Sequence, residues 1–282
     1  MMIQQNTPEW LEMRKNMIGA SDAPVIMGDS PWRTPYQLWQ EKLDLLEQKP
    51  QNEAMRRGHE LEPIARQMYN DQTGNCAEPE VVFHPDYEWM MASLDGLSLC
   101  GNIVLEIKCP GREDHETAKD GRIPEKYFAQ LQHQLAASGL NLLHYFSYRD
   151  GDCALVEVES DDKYIARMIK KEKQFWEKLQ SFEPPALTER DYVQRDDAAW
   201  IEAANEWALV SKQMAELKEQ EKNCRQRLIF LAGDRNCAGG GVKAQKIVAR
   251  GAVDYSAIPE INGVDLEKYR KAPTERWRFD GI

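Results

Sequence analysis

The sequence predicts an α/β fold: a mixed central sheet flanked by helices, followed by one long C-terminal helix and a small β-rich tail. Three observations carry this expectation. Short apolar runs of strand length, bounded by turn residues, cluster between residues 81 and 109 and again between 143 and 158. Segments with helical spacing and recognisable caps surround them. After Pro184-Pro185 the composition changes to a single long helical pattern. The expected division is a domain at 1–193 and an extension at 194–282.

The elements follow in order. Thr7 as N-cap and Pro8 at the first helical position predict a helix over 7–18. Thr34-Pro35 opens a second helix expected to reach Leu46, and a third runs from Glu53 to Thr73, where Gly74 ends it. Strands are expected at Val81–His84, Met90–Leu94 and Ile103–Cys109. A helix spans Pro124 to Ser138 and stops at Gly139. Leu143–Arg149 and Cys153–Val158 read as a hairpin around Asp150-Gly151, a dipeptide suited to a tight two-residue turn. Asp161–Phe182 is helical. From Asp196 to Ala232, apolar residues recur at 200, 203, 207, 210, 214, 217, 224, 228 and 231, with Glu221 interrupting the stripe. This stripe reads as a packing face, against the preceding domain, another subunit or a partner. A strand over VKAQKIVAR follows Gly239-Gly240-Gly241.

The chain has 282 residues, 42% of them hydrophobic, enough for a sizeable core. The net charge of -11 disfavours a broad nucleic-acid-binding surface, although a local basic lining inside an acidic shell remains compatible with one. No apolar run approaches the roughly 18 residues that span a bilayer. The N-terminus MMIQQNTPEW has no secretory pattern. The six cysteines form no CxxC pair, so a disulfide framework or a cysteine metal cluster has little support. These features predict a cytoplasmic protein.

The stretch ASLDGLSLCGNIVLEIKCPG (92–111) carries the chemistry. Side chains alternate along a strand, so Glu106 and Lys108 share one face while Leu105 and Ile107 share the other and pack against a helix. Taken alone, Glu106 and Lys108 read equally well as a plain ion pair. Asp95, expected at a strand end beside a turn at Gly96, shifts the reading. Two carboxylates brought close together repel, and a hard divalent cation relieves the repulsion. Ten residues separate Asp95 from the Glu-x-Lys triplet. That is the outline of a restriction-endonuclease-like PD-(D/E)xK core, with the lysine beside an attacking water.

Further segments resemble one family. Trp10-Leu-Glu-Met-Arg14 with Ile18-Gly19-Ala20-Ser21-Asp22, then Arg57-Gly58-His59-Glu60-Leu61-Glu62, Ser93-Leu94-Asp95-Gly96, Leu105-Glu106-Ile107-Lys108-Cys109-Pro110 and Tyr127-Phe-Ala-Gln130-Leu-Gln132 are similar to the ordered elements of the lambda exonuclease, or YqaJ-type viral recombinase, family. The endings KYRKAP and RWRF resemble tails of some phage members. The Asp95-to-Glu106 interval is about one residue longer than in lambda exonuclease, a difference that Gly101-Asn102 can absorb in the turn.

The resemblance implies that Asp95, Glu106 and the Ile107 carbonyl bind metal, with Glu62 adding a carboxylate directly or through water. Lys108 would act as base or as charge stabiliser. Arg14, Ser21, Ser93, Tyr127 and Gln130 would contact DNA phosphates. Trp10 is either a core residue or a stacking surface at the DNA end. His59, His84, His133 and His144 read as structural. The implied activity is Mg²⁺-dependent 5′-to-3′ digestion of double-stranded DNA ends, using two ions that Mn²⁺ can replace. Mononucleotides are released, and the 3′ strand passes to a single-strand annealing protein in phage-type recombination. The implied assembly is a homotrimeric ring in a bacterial host cytoplasm. The rivals are a related endonuclease or Cas4-like nuclease, and a non-catalytic recombination scaffold. Lys243, Lys246 and Arg250 are further candidates for DNA contact, or simply solvated residues at a strand edge.

Overall fold

The first helix starts where its capping chemistry places it. The Thr7 hydroxyl accepts a hydrogen bond from the Trp10 amide at the head of α1 (Pro8–Asn16). The helix stops short of residue 18 because Met17 is extended and the Lys42 ammonium takes the carbonyls of Arg14 and Met17. A two-residue strand β1 (Ile18–Gly19), a 3-10 turn at Ala20–Asp22 and the short helix α2 (Ala23–Met27) follow, none of them anticipated. α3 (Pro35–Lys42) carries the Thr34 capping box with Gln37 and ends before Asp44, whose φ of 54° cannot continue a helix. α4 (Glu53–Thr73) has the expected bounds.

β2 (Glu78–Phe83) leads into β3 (Met90–Leu97) and β4 (Val104–Lys108). β3 does not end before Asp95. It runs on to Leu97, and Gly96 pairs with Leu105 inside the ladder. The turn comes later, where Gly101 adopts φ 68° and the Ser98 hydroxyl accepts from the Asn102 and Ile103 amides. Next is α5 (Arg112–Lys119), a helix missed in the sequence because only His115 and Ala118 are buried on it. α6 (Glu125–Ser138), the hairpin β5 (Leu142–Arg149) and β6 (Asp152–Glu159), and α7 (Asp162–Gln180) complete this region.

β1 through β6 form one mixed sheet. β3 pairs in parallel with β1 and antiparallel with β2 and β4, β4 runs parallel to β5, and β5 is antiparallel to β6. Helices cover both faces. On one face Val104, Leu143 and Tyr145 join Leu131 and Leu135 of α6 and Met168 and Phe175 of α7. On the other, Leu105, Ile107, Phe146 and Tyr148 pack against Ala65 and Tyr69 of α4. The alternation along β4 therefore seats it between two apolar layers, each buried Leu or Ile contributing about 1.5–3 kcal/mol. The same alternation turns Glu106 and Lys108 toward α6.

This computed structural model describes residues 7–46 and 53–247. The chain divides into two units, Met1–Tyr192 and Val193–Ile282. The second contains α8 (Ala198–Ala232), capped by Asp197, and a hairpin of β7 (Cys237–Gly239) and β8 (Val242–Ala244). The strand expected over 242–250 covers only its first three residues among those described. Lys246 pairs with Asp234 at 2.7 Å. Arg250 and the KYRKAP and RWRF segments lie outside the described residues.

Candidate active site

Where β3 and β4 diverge, a side chain takes over from the ladder. Gly96 pairs with Leu105, so the next step sets Asp95 against Glu106. There Asp95 Oδ2 accepts from the Ile107 amide at 2.8 Å. Glu106 is 1% exposed. It forms a close ion pair with Lys108 and accepts from Gln130 Nε2 at 2.6 Å and Gln134 Nε2 at 2.5 Å. Both glutamines come from α6 and lie four residues apart, hence on one helix face. Charge-assisted bonds of this kind offset the cost of burying a carboxylate.

Burial, the facing Glu106 and nearby Glu62 hold the Asp95 carboxyl well above the usual carboxylate range, with Lys108 and the Ile107 amide pulling the other way. For Lys108, burial works against the charge. Glu106 and Asp95 outweigh it and raise the ammonium above its ordinary value. Cys109, next along the chain, is a packing group: burial pushes its thiol up to about 11, far from a reactive thiolate.

Glu62 approaches from α4. It forms a close ion pair with Arg66, whose Nε also donates to the Asp95 carbonyl at 2.8 Å. Neither Arg66 nor Gln134 was singled out in the sequence. Each sits one helical turn beyond a residue that was, Glu62 and Gln130 respectively, and that spacing was the available signal.

Ser93 lies two residues before Asp95 on β3, and the register against β2 shifts between Leu94 and Leu97. The Ser93 hydroxyl accepts from Trp10 Nε1 at 3.0 Å. The Arg14 guanidinium lies 4.6 Å from the Trp10 ring centroid and donates to Ser21 Oγ at 2.8 Å. Both serine hydroxyls act as acceptors here, so each keeps its own proton for an incoming anion. Behind them the buried Asp22 accepts from the Gly19 amide at 3.0 Å and pairs with Lys42 at 2.8 Å. Tyr127 reaches Asp114 at 3.5 Å, and its ring centroid lies 5.4 Å from Lys108 Nζ. The structure thus gathers Asp95, Glu106, Lys108, Gln130 and Tyr127 in one group. Arg14, Ser21, Trp10 and Ser93 form a second group joined to the first through β3, and Glu62 stands at its edge. His133 is buried between Glu172 and the Met91 carbonyl, and His144 bonds Tyr69, so both serve the core.

The donor set fits a hard divalent ion. Two carboxylates, Asp95 and Glu106, could offer oxygen ligands, and the burial and facing Glu106 that raise the Asp95 carboxyl are a cost that a cation would relieve. Among the described residues no group of three or more His, Cys, Asp or Glu side chains is arranged to hold a metal ion by itself.

A mixed sheet covered by helices, with an acidic pair and a lysine on adjacent strands, defines an α/β fold similar to that of alkaline exonucleases. The chain belongs to the YqaJ-like viral recombinase domain family, whose model matches residues 9–141. It resembles the crystal structure of the alkaline exonuclease LHK-Exo from Laribacter hongkongensis, with 31% identity over 63% of this chain and 94% of that one and a TM-score of 0.55. LHK-Exo in complex with dAMP gives 33% identity, the same coverage and the same TM-score. The uncharacterized protein YqaJ of Bacillus subtilis (strain 168) is 29% identical over 248 residues, covering 80% of this chain and 78% of that protein.

Proposed function

We propose that the chain is a Mg²⁺-dependent exonuclease of the PD-(D/E)xK type that digests one strand of duplex DNA from 5′ to 3′ and releases mononucleotides. The observation that carries this reading is the Asp95–Ile107 hydrogen bond, which sets Asp95 beside Glu106 and Lys108. LHK-Exo, an alkaline exonuclease crystallised with a deoxynucleoside monophosphate, supports the reaction class. Residues 1–193 would form the catalytic domain.

Asp95, Glu106 and the Ile107 carbonyl would hold the ions, with Glu62 joining directly or through water. When bound, Mg²⁺, or Mn²⁺ in its place, stabilises charge on the attacking and leaving oxygens of an in-line displacement. Around that centre the protein supplies orientation. Gln130 and Gln134 fix Glu106, the Ile107 amide fixes Asp95, and Arg66 braces Glu62 against the Asp95 carbonyl. Lys108, with its proton held by Glu106 and Asp95, suits stabilisation of the charged phosphoryl oxygens. To act as a base it must first give up that proton. Arg14, Ser21 and Ser93 present one guanidinium and two hydroxyl protons, a donor set suited to a 5′-terminal phosphate. Tyr127 lines the approach beside Lys108.

A homotrimeric ring would reconcile the net charge of -11 with DNA binding, since basic side chains need only line its channel. The 3′ strand would pass to a single-strand annealing protein. The test is digestion of linear duplexes labelled at either end, with Mg²⁺ or with EDTA. Early loss of the 5′ label as mononucleotides, abolished by EDTA, is expected. Equal cutting of circular DNA would instead identify an endonuclease.

A further inference from the structure

The stripe along α8 is a heptad pattern interrupted once, by Glu221. Positions a are Trp200, Trp207, Met214, Glu221 and Leu228, and positions d are Ala203, Val210, Leu217, Cys224 and Leu231. It holds for the whole 35-residue helix, with no break in the helix that carries it. Trp200, Trp207, Met214, Leu217, Leu228 and Leu231 are all exposed. A strict 3.5-residue repeat is the seam of a coiled coil.

We propose that α8 is an interaction surface whose occupant is α8 of a second copy of this chain, running antiparallel. The polar residues choose this partner and direction. In a parallel, in-register pair every residue meets itself, so Glu221 would face Glu221 inside the seam, and the tryptophans would stack against tryptophans while Ala203 met Ala203. Like charges at a core layer are destabilising.

In an antiparallel pair a meets d, and the register that overlaps the two helices most fully pairs residues whose numbers sum to 431. Trp207 then faces Cys224, Leu228 faces Ala203, Trp200 faces Leu231, Met214 faces Leu217 and Glu221 faces Val210. Bulky side chains meet small ones in two of these layers, as close packing requires. Glu221 meets no second acid, and Arg225, four residues on, accompanies it at 2.7 Å. The flanking g positions decide the register. They pair Glu206 with Arg227 twice, once at each end, and Gln213 with Gln220. A slip of one heptad either way loses both Glu206–Arg227 pairs. The contact is isologous and closes on two copies.

The test uses the full chain with Cys76, Cys100 and Cys237 changed to serine. Under mild oxidation Trp207→Cys should yield a covalent dimer whose tryptic map joins position 207 to Cys224. The parent with Trp207 intact should not cross-link through Cys224, because the two Cys224 residues are 17 positions, or about 25 Å, apart along the pair. Glu206→Arg and Arg227→Glu should each weaken self-association at least about tenfold in sedimentation, and the double reversal should restore it. Both single variants should digest linear duplex at the parental rate, separating this proposal from the catalytic assignment. A Cys224–Cys224 cross-link in the parent, a mass that neither reversal changes, or a double reversal that stays weak would overturn it.

Discussion

Gln134 donates to Glu106 Oε2 at 2.5 Å, although both residues are buried and Gln134 Oε1 finds no partner among the described residues. Glu106 is thereby held through both oxygens, with Lys108 and Gln130 on Oε1. A residue with an orphaned buried oxygen is retained here in spite of that cost. Gln134→Leu keeps the volume and removes one charge-assisted bond. It should lower stability by about 1.5–3 kcal/mol and slow DNA digestion about tenfold as Glu106 loses its fixed orientation. Thermal melts and initial rates on a linear duplex check both. An unchanged rate would mean that Gln134 serves packing alone.

Removing the acid or the amine directly should be more severe. Glu106→Ala and Lys108→Ala should each reduce hydrolysis by at least about a hundredfold while the circular dichroism spectrum keeps its native form. Full activity in either variant would sink the assigned site. Glu106→Ala should also abolish the heat of Mg²⁺ binding in calorimetry, whereas Lys108→Ala should retain it.

How much of this was legible in the sequence follows from the range of each interaction. The period-2 pattern of Leu105, Glu106, Ile107 and Lys108 assigned the two faces of β4, because alternation is set by the backbone alone. The bounds of α4 were readable from Gly74, and the Asp150-Gly151 turn from its two residues, both of which adopt positive φ. The end of α1 was not readable, because Lys42 decides it from another helix. The length of β3 was misjudged for a similar reason: Gly96 looked like a turn residue, but its partner Leu105 lies on the next strand. α5 escaped notice because a helix with two buried residues leaves almost no periodic signal. At the site, Asp95, Glu106 and Lys108 were visible as a motif. The bond from the Ile107 amide to Asp95 exists only in the paired sheet.

Gly96 yields its own prediction. A Cβ placed there would lie 2.9 Å from Ala77 Cβ and 3.2 Å from Leu105 Cβ, so glycine is needed for close approach and not for a turn. Gly96→Ala should destabilise the fold by about 1–3 kcal/mol by overpacking. Because the strain falls next to Asp95, the rate on linear DNA should drop as well. A variant as stable as the parent would show that the strands can part at no cost.

Arg14 is held between the Trp10 ring and Ser21, with its remaining donors available. Arg14→Ala should cut the preference for 5′-phosphorylated over 5′-hydroxyl duplex ends about tenfold, equivalent to ~1.4 kcal/mol. Arg14→Lys should recover only part of it, since an ammonium offers no planar fork. Competition between the two kinds of end in one reaction measures the ratio. Equal loss on both substrates would assign Arg14 to structure.

Asp22 ties this arginine to acid stability. Burial alone would raise its carboxyl, but Lys42, then Arg14 and Arg33, prevail and hold it at about 2 against an ordinary 3.8. A group depressed on folding stabilises the native state fully above its unfolded value, and the contribution is lost as pH falls through the folded value. For Asp22 the window runs from about pH 5 down to about pH 2, and the amount is about 2 kcal/mol. Asp22→Asn should therefore be less stable than the parent by at least about that much at pH 7. The gap should narrow by about 2 kcal/mol between pH 5 and pH 2, as the parent's carboxylate takes up its proton. Urea unfolding of both proteins across that range measures it. Since Lys42 also holds the Arg14 and Met17 carbonyls, the variant should loosen the end of α1 and weaken discrimination for phosphorylated ends alongside stability. A gap that stays constant with pH would show that the Asp22–Lys42 pair contributes through packing and not through charge.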